Sequence, residues 1–283
     1  MKNKELGIRL ATGFLVGPFV VFCFINYYSL IGLVATVVMF ASFEYINFSL
    51  KNSGHPILRL MYVGIITLTT VLYGLLLDKL NLLGDTKRRP ELIFTLAFIT
   101  IAVLTILLIS DVRKAKIFVV NGSFSLIYIS LCLSFFFPIY INFGPFVALM
   151  NLLMVWVFDA GAYFSGVRFG KLRISPSYSP KKSFEGAIGG YLLTVIFVWL
   201  YTLLVKAITP EFNLIGLEEI FLLPMVVAVF GTVGDITESA FKRYHNVKDS
   251  GNVLPGHGGM LDRIDGLLFV TPIFYIFMIL LNT

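Results

Sequence analysis

Four acidic residues, Glu44, Asp159, Asp235 and Glu238, stand inside otherwise apolar runs of this chain. Charge in an apolar span is costly, so each is a site candidate by default. Asp159, Asp235 and Glu238 lie near one end of their runs; Glu44 stands alone, suited to a structural hydrogen bond, an interhelical pair or indirect support of a site. In GDITESAFKR, Asp235, Ser239 and Lys242 sit at offsets 0, 4 and 7. At ~100° per residue these fall within roughly 60° of one another on a helix, with Glu238 about 60° to the other side. One face then presents a carboxylate, a hydroxyl and an ammonium in a column. The next segment, KDSGNVLPGHGGMLDRIDG, holds a turn of Pro255, Gly256, Gly258 and Gly259 with His257 inside it. Backbone in such a turn approaches a ligand closely. Asp262 and Asp265 follow at spacing three, flanking Arg263, and share a face of a helix start. Their oxygens suit a hard cation such as Mg²⁺, and the neighbouring Lys and Arg suit phosphate oxygens. Together these groups fit metal-assisted phosphoryl or nucleotidyl transfer. Zinc chemistry is poorly supported, because His55, His245 and His257 are scattered and no HExxH or cysteine pair exists. The chain has no Walker A, no dinucleotide GxGxxG and no GxSxG elbow.

These residues must be held by apolar elements. Hydrophobic residues make up 58% of the chain and charged residues 13%, against about 25% charged in a soluble domain. A chain of 283 residues has no interior large enough to hide that apolar surface from water, so lipid must be its solvent. The expected fold is all-α: a polytopic integral membrane protein of about nine transmembrane helices. The spans are read near Leu10–Tyr28, Ser29–Leu50, Leu60–Leu77, Leu92–Ser110, Phe118–Tyr140, Pro145–Phe164, Gly186–Val205, Ile220–Phe241 and Gly266–Leu281. The first two form a tight hairpin, and the last is short. Residues 1–283 form a single transmembrane domain, with N-terminal helices over 1–140 and catalytic helices and cytoplasmic loops over 145–283. With the N-terminus in the cytoplasm, 17 of the 22 Lys and Arg fall on inside segments and 5 outside, as the positive-inside bias requires. The net charge of +6 then reflects basic loops beside anionic lipid rather than nucleic-acid binding. The two longest inside loops, Arg168–Glu185 and Lys242–Asp265, are the richest in charge, Gly and Pro. Gly13/Gly17, Gly166/Gly170 and Gly186/Gly190 are Gly-xxx-Gly pairs, read as close helix packing. Cys23 and Cys132 read as small buried hydrophobes. The basic, then apolar, N-terminus reads as an uncleaved first span, since no small-residue cleavage site precedes the next apolar run.

The run SAFKRYHNVKDSGNVLPGHGGMLDRID, Ser239 to Asp265, closely resembles the C-terminal motif of phosphatidate cytidylyltransferases, also called CDP-diacylglycerol synthases. Every fixed position of that pattern is filled: the Ser, Lys-Arg, Lys-Asp, Pro, His-Gly-Gly and Asp-Arg-x-Asp elements. A second block, DAGAYFSGVRFGK followed by SPKKSFEGAIGG, Asp159 to Gly190, is also similar to the family, whereas the N-terminal third matches only in hydropathy. The resemblance implies that CTP and phosphatidic acid give CDP-diacylglycerol and pyrophosphate. It implies that Asp235 and Asp262 hold Mg²⁺ with Asp265 as a further ligand, and that a second cation, K⁺ or another divalent, sits between the same carboxylates. Lys242, Arg243 and Arg263 would neutralise phosphate oxygens, while Lys248, Asp249, His257, Gly258 and Gly259 would shape the site beside Ser239. Ser179, Lys181 and Lys182 would bind the triphosphate or the leaving pyrophosphate, or serve only a lipid-facing topological role. Asp159 and Tyr163, on one helical face, would line the lipid headgroup pocket. The expected setting is the bacterial cytoplasmic (inner) membrane, with the active site at its cytoplasmic face and the protein a homodimer. Two competing readings remain at this level. A CTP-dependent polyprenol or phytol kinase would release CDP rather than pyrophosphate. A cation-coupled transporter would spread its carboxylates through the membrane depth, whereas here they gather at one face.

Overall fold

In lipid, backbone amides and carbonyls find no water, so an apolar run satisfies them internally by folding as a helix. The computed structural model describes residues 14, 16–51, 53–84, 89–253 and 258–282. Its helices are α1 (residues 16–23), α2 (Tyr27–Ser49), α3 (Pro56–Leu82), α4 (Leu92–Leu108), α5 (Val112–Ser125), α6 (Cys132–Ser134) and α7 (Phe136–Phe169). A short antiparallel hairpin follows, β1 (Arg173–Ser175) with β2 (Ser179–Ser183), and then α8 (Phe184–Ile208), α9 (Leu217–Val226), α10 (Thr232–Tyr244) and α11 (Leu261–Leu281). π-helical turns over Leu126–Leu131 and Val227–Gly231 precede α6 and α10.

The protein is a predominantly helical polytopic membrane protein. Among the described residues six helical stretches are long and apolar enough to cross a bilayer, and α4, with 17 residues, is a shorter apolar helix. One of the six, Val112–Phe169, runs for 58 residues, more than twice the roughly 20 that one span needs. Its geometry breaks at Gly144 (φ 85°, ψ 173°), immediately before Pro145. That backbone conformation is open to glycine and closed to other residues, so two of the expected spans meet there. Of the first expected span, Leu10–Tyr28, residues 10–13 and 15 lie outside the described residues, and α1 covers 16–23. The break before α2 falls at residues 24–26 rather than after Tyr28, because the Asn26 side chain accepts from the Tyr28 amide at 2.8 Å and caps the helix. The last helix is longer than expected, since the polar DRID segment continues the apolar run as its first turns.

The chain divides into two compact units: Met1–Ile141 with Val247–Arg263, and Asn142–Asn246 with Ile264–Thr283. In the first, α2 and α3 pack along one another, burying Leu30, Ile31, Val34, Val38, Tyr62 and Ile66. Hydroxyls tie its helices together. Thr70 and Ser130 share a bond of 2.7 Å, Tyr27 donates to the Gly74 carbonyl at 3.0 Å, and Tyr62 bonds Thr105. In lipid such bonds add to close packing as the glue between helices.

In the second unit α7 and α8 meet along their glycines. A Cβ on Gly161 would stand 3.0 Å from the Gly190 Cα, and one on Gly186 would stand 3.3 Å from the Gly166 Cα. Gly166, Gly186 and Gly190 thus mark places where two backbones touch, whereas of the expected pair Gly13/Gly17 the first lies outside the described residues and a Cβ on the second would meet nothing within 4 Å. The outer face of α8 shows Leu192, Ile196, Trp199 and Leu203, all about half exposed. Their spacing of three to four residues makes one apolar stripe, suited to acyl chains.

Candidate active site

The charged side chains of the second unit gather around α10. Pro224 lacks an amide hydrogen, and a few residues later the helix passes through its π-helical turn before α10 begins. π-turns of this kind recur at functional sites because they re-aim the residues that follow. Past that turn Asp235, Glu238, Ser239 and Lys242 follow in regular helix, so the column expected from their spacing is formed. Gly234 lets the start of α11 come close, since a Cβ there would sit 2.5 Å from the Asp265 carbonyl oxygen. That approach brings Asp265 to Asp235.

The charges are arranged as alternating pairs. Lys182 Nζ stands 2.5 Å from Asp235 Oδ2, and Lys242 Nζ stands 2.5 Å from Glu238 Oε2. Glu238 is only 1% exposed, so its charge is sustained by the neighbouring ammonium. Asp265 is half-buried and accepts from the Gly266 amide at 2.8 Å. The charges of Asp235, Glu238 and Asp159 all act on it. Asp159 and Tyr163, one turn apart on α7, are both exposed. Ser239, midway along α10, is half-buried, and Arg243, in its last turn, is exposed.

Lys182 reaches Asp235 because the expected loop Arg168–Glu185 is a hairpin. Strand residues alternate sides, and Lys182 is the one that meets the carboxylate, while Ser179, at the strand start, is half-buried. Arg173 Nη1 donates to the Lys181 carbonyl at 2.9 Å. Glu185 accepts from the amides of Lys171 and Leu172 at 3.0–3.2 Å, and Ser183 caps α8 through the Gly186 amide at 3.2 Å. Composition hid the hairpin, since RISPSYSPKKS has no run of β-branched residues. Its one signal is the Pro-Ser-Tyr turn between two short polar strands.

The first unit holds the other part of the signature run. Glu44, 4% exposed on α2, accepts from the Met260 and Leu261 amides and from Ser250 Oγ, each at 2.9 Å. A carboxylate thereby caps the start of α11, where unsatisfied amides and the helix dipole favour negative charge. Asp262 Oδ2 accepts from the Gly259 amide at 3.0 Å and the Ser250 amide at 3.1 Å. Gly258 takes a left-handed φ of 85°, which glycine adopts without strain. Lys248, Asp249 and Arg263 lie on the same stretch, and all three are exposed. His257, with Pro255 and Gly256, lies outside the described residues. The sequence marked Glu44 as unusual but could not name its partners, which lie more than 200 positions away.

The donor chemistry of the second unit fits a hard cation. Among the described residues no three carboxylate, histidine or cysteine groups stand together as a ready metal cage. Mg²⁺ usually takes one or two carboxylates and completes its shell with water and substrate phosphates, and Asp235 and Asp265 supply that many.

Comparison with known proteins gives one consistent result. Residues 7–281 match the cytidylyltransferase family. A phosphatidate cytidylyltransferase of Thermotoga maritima is 46% identical over 274 residues, which is 96% of each chain. Its Bacillus subtilis namesake is 38% identical over 158 residues, 55% of this chain and 56% of its own. One from Haemophilus influenzae is 40% identical over 135 residues, 47% of this chain and 46% of its own.

Proposed function

The chain belongs to the cytidylyltransferase family, and we propose that it transfers the cytidylyl group of CTP to phosphatidic acid, giving CDP-diacylglycerol and pyrophosphate. The lipid phosphate oxygen attacks the α-phosphorus of CTP. The bond from that phosphorus to the bridging oxygen breaks, and pyrophosphate leaves with the electron pair. A phosphate monoester is largely dianionic at neutral pH, its second pKa being about 6, so no protein base is needed to make the nucleophile. The obstacle is electrostatic: one anion must approach another. The observation that carries this reading is the set of alternating pairs around α10, Lys182 with Asp235 and Lys242 with Glu238.

Fixed ammonium groups of this kind can shift from a carboxylate partner to a phosphate oxygen without first being ordered, and charge that is already in place where the transition state needs it supplies much of the acceleration in many such reactions. Lys182 and Lys242 are the groups proposed to meet the transferring and leaving phosphates, with Arg243 and Arg263 near the same signature. Ser179 and Lys181 are proposed to guide the triphosphate, and Tyr163 with Asp159 the lipid headgroup. Mg²⁺ is proposed on Asp235 and Asp265, with Asp262 the third carboxylate that the signature pattern implies; when bound it neutralises charge on the phosphates. The site is proposed to face the cytoplasm of a bacterial cell, where CTP is supplied, while the lipid enters sideways from the bilayer.

The test is direct. Purified protein in detergent is mixed with phosphatidic acid, CTP and Mg²⁺, and pyrophosphate and liponucleotide are followed, with Asp235→Asn beside it. Formation of CDP-diacylglycerol by the wild type, and its loss in a folded variant, is the expected result. A folded wild type that makes no liponucleotide, or that phosphorylates a polyprenol and releases CDP, would overturn the assignment.

A further inference from the structure

The end of α2 borders a cavity of about 490 Å³ that the chemistry around α10 does not use. That volume falls within the ~300–1,000 Å³ of small-molecule sites. The last turns of α2, Arg59 on α3 and the loop at 247–253 line it, and all of these belong to the first unit. Arg59 Nε is buried and has no hydrogen-bond partner among the described residues. A buried guanidinium N–H without an acceptor is uncommon and needs an explanation. The two carboxylates of the lining do not supply it. Both Glu44 oxygens are engaged by Met260, Leu261 and Ser250. Asp249 is exposed on the loop and, among the described residues, forms no ion pair with Arg59 or Lys51. Lys51, just past the end of α2, adds a second positive charge to the lining.

The apolar part of the wall runs on along the membrane helix. Phe43 lines the cavity, and Met39, Thr36 and Gly32 follow it along α2, all four exposed. The eleven residues from Gly32 to Phe43 return to within ~20° of the same direction, so these positions form one outer strip. Met39 and Phe43 are 38% and 40% exposed, and a Cβ on Gly32 would meet nothing within 4 Å. The strip therefore leads from the cavity toward the middle of a helix long and apolar enough to cross a bilayer. At the cavity the apolar run of α2 gives way to Asn47, Ser49 and Lys51, as a helix does at the level of the lipid headgroups.

We propose that this cavity holds the headgroup of an anionic phospholipid that is not a substrate: a phosphodiester with a hydroxylated headgroup, such as phosphatidylglycerol. Its phosphate sits on Arg59 and Lys51, its headgroup hydroxyls on Asn47, and one acyl chain along the strip from Phe43 to Gly32. The guanidinium fork matches two phosphate oxygens, and basic pockets between membrane helices are a recurring site for acidic headgroups. The Asn47 amide offers a donor and an acceptor to hydroxyls, which phosphatidic acid lacks. A zwitterionic lipid would bring its own cation against Arg59 and Lys51, and a soluble anion would leave the apolar strip unused. The loop at 247–253 forms one wall of the cavity. Its Ser250 bonds Glu44 through Oγ and Asp262 through its amide, so the bound lipid braces the loop from its other side. The assignment does not rest on the reaction proposed around α10.

Photolabelling of the full-length protein in phosphatidylcholine nanodiscs tests it. Phosphatidylglycerol, phosphatidylcholine and phosphatidic acid, each with a diazirine in one acyl chain, are added in turn at equal amounts, and the labelled residues are mapped by mass spectrometry. Phosphatidylglycerol is expected to label Met39 and Phe43 well above the phosphatidylcholine level. Competition with unlabelled phosphatidylglycerol gives its relative affinity, which Arg59→Gln should weaken by about 10–100-fold, the loss of a charge-assisted bond. Arg59→Lys recovers part of the loss, and Lys51→Gln shows a smaller loss of the same kind. Lys116→Gln, a charge on α5 outside the cavity, leaves the labelling unchanged. Phosphatidylglycerol also raises the melting temperature of the wild type more than that of Arg59→Gln. Equal labelling by phosphatidylglycerol and phosphatidylcholine overturns the proposal, since the strip then meets only ordinary boundary lipid. Phosphatidylglycerol labelling that is unchanged in folded Arg59→Gln and Lys51→Gln overturns it as well. Displacement of the label by inorganic phosphate makes the cavity a soluble-anion site, and labelling by phosphatidic acid equal to that by phosphatidylglycerol makes it a site for the substrate headgroup. Either result removes the assignment, and none of these readouts depends on turnover.

Discussion

Replacing Glu44 by Gln changes one atom and should unfasten the start of α11. The carboxylate meets three donors: the Met260 amide on Oε1, and the Leu261 amide with Ser250 Oγ on Oε2. Glutamine keeps one acceptor oxygen. In its better orientation that oxygen serves Leu261 and Ser250, and the NH₂ group then faces the Met260 amide, donor against donor. Orphaning one buried donor costs about 1–3 kcal/mol. The two surviving bonds fall from charged to neutral strength, a loss of about 1 kcal/mol each. Negative charge is also removed from a helix N-terminus. Met260 is only half-buried, so water relieves part of the cost of the orphaned amide, and the sum is about 3 kcal/mol. At roughly 2–4 °C per kcal/mol for a domain of this order, thermal unfolding in detergent should shift down by roughly 6–12 °C. Turnover should fall too, because Ser250 and the Gly259 turn lose their anchor together. A shift under about 2 °C with wild-type turnover would refute the claim that Glu44 holds this loop.

Lys182→Met is expected to lower kcat/KM about 10–100-fold with little loss of fold, because the pair it breaks is partly exposed and its ammonium is offered to substrate. Asp262→Asn keeps an acceptor for the Gly259 and Ser250 amides, so only the fall of two bonds from charged to neutral strength, about 2 kcal/mol, should show in its melting while turnover is lost. Full activity in that variant would make Asp262 a loop anchor alone. Gly190→Leu places carbon where Phe158 already stands, a Cβ alone lying 2.7 Å from its ring. It should destabilise by at least about 1–3 kcal/mol, read as a lower melting temperature, and an unchanged value would mean that α7 and α8 do not pack there. Chelation with EDTA should stop CDP-diacylglycerol formation and added Mg²⁺ restore it; turnover unaffected by EDTA would remove the cation from the scheme.

What could be read along the chain was local. Apolar run length marked the membrane helices because one span is one stretch of sequence, and the offsets of Asp235, Ser239 and Lys242 predicted their column because helical geometry is periodic. Gly166, Gly186 and Gly190 marked close packing because only glycine permits it. The hairpin at Arg173–Ser183 was illegible, since its strands are polar and are held by Glu185 and Ser183 rather than by a core pattern. The partners of Lys182 and Glu44 were illegible for a different reason: a lone charge announces that it needs a counterpart but not where along the chain that counterpart lies.

The signature run itself shows why contiguity in sequence misleads about role. Asp262 and Asp265 sit one turn apart on α11, yet they answer to different neighbours. Asp262 holds the amides of Ser250 and Gly259, in a loop that Glu44 also fastens. Asp265 feels Asp159, Asp235 and Glu238. A shift of α11 by even a fraction of a turn would move both carboxylates at once. That coupling gives a physical reason for the fixed spacing of the Asp-Arg-x-Asp pattern: one residue more or less would turn one carboxylate by ~100° away from its neighbours while leaving the other in place.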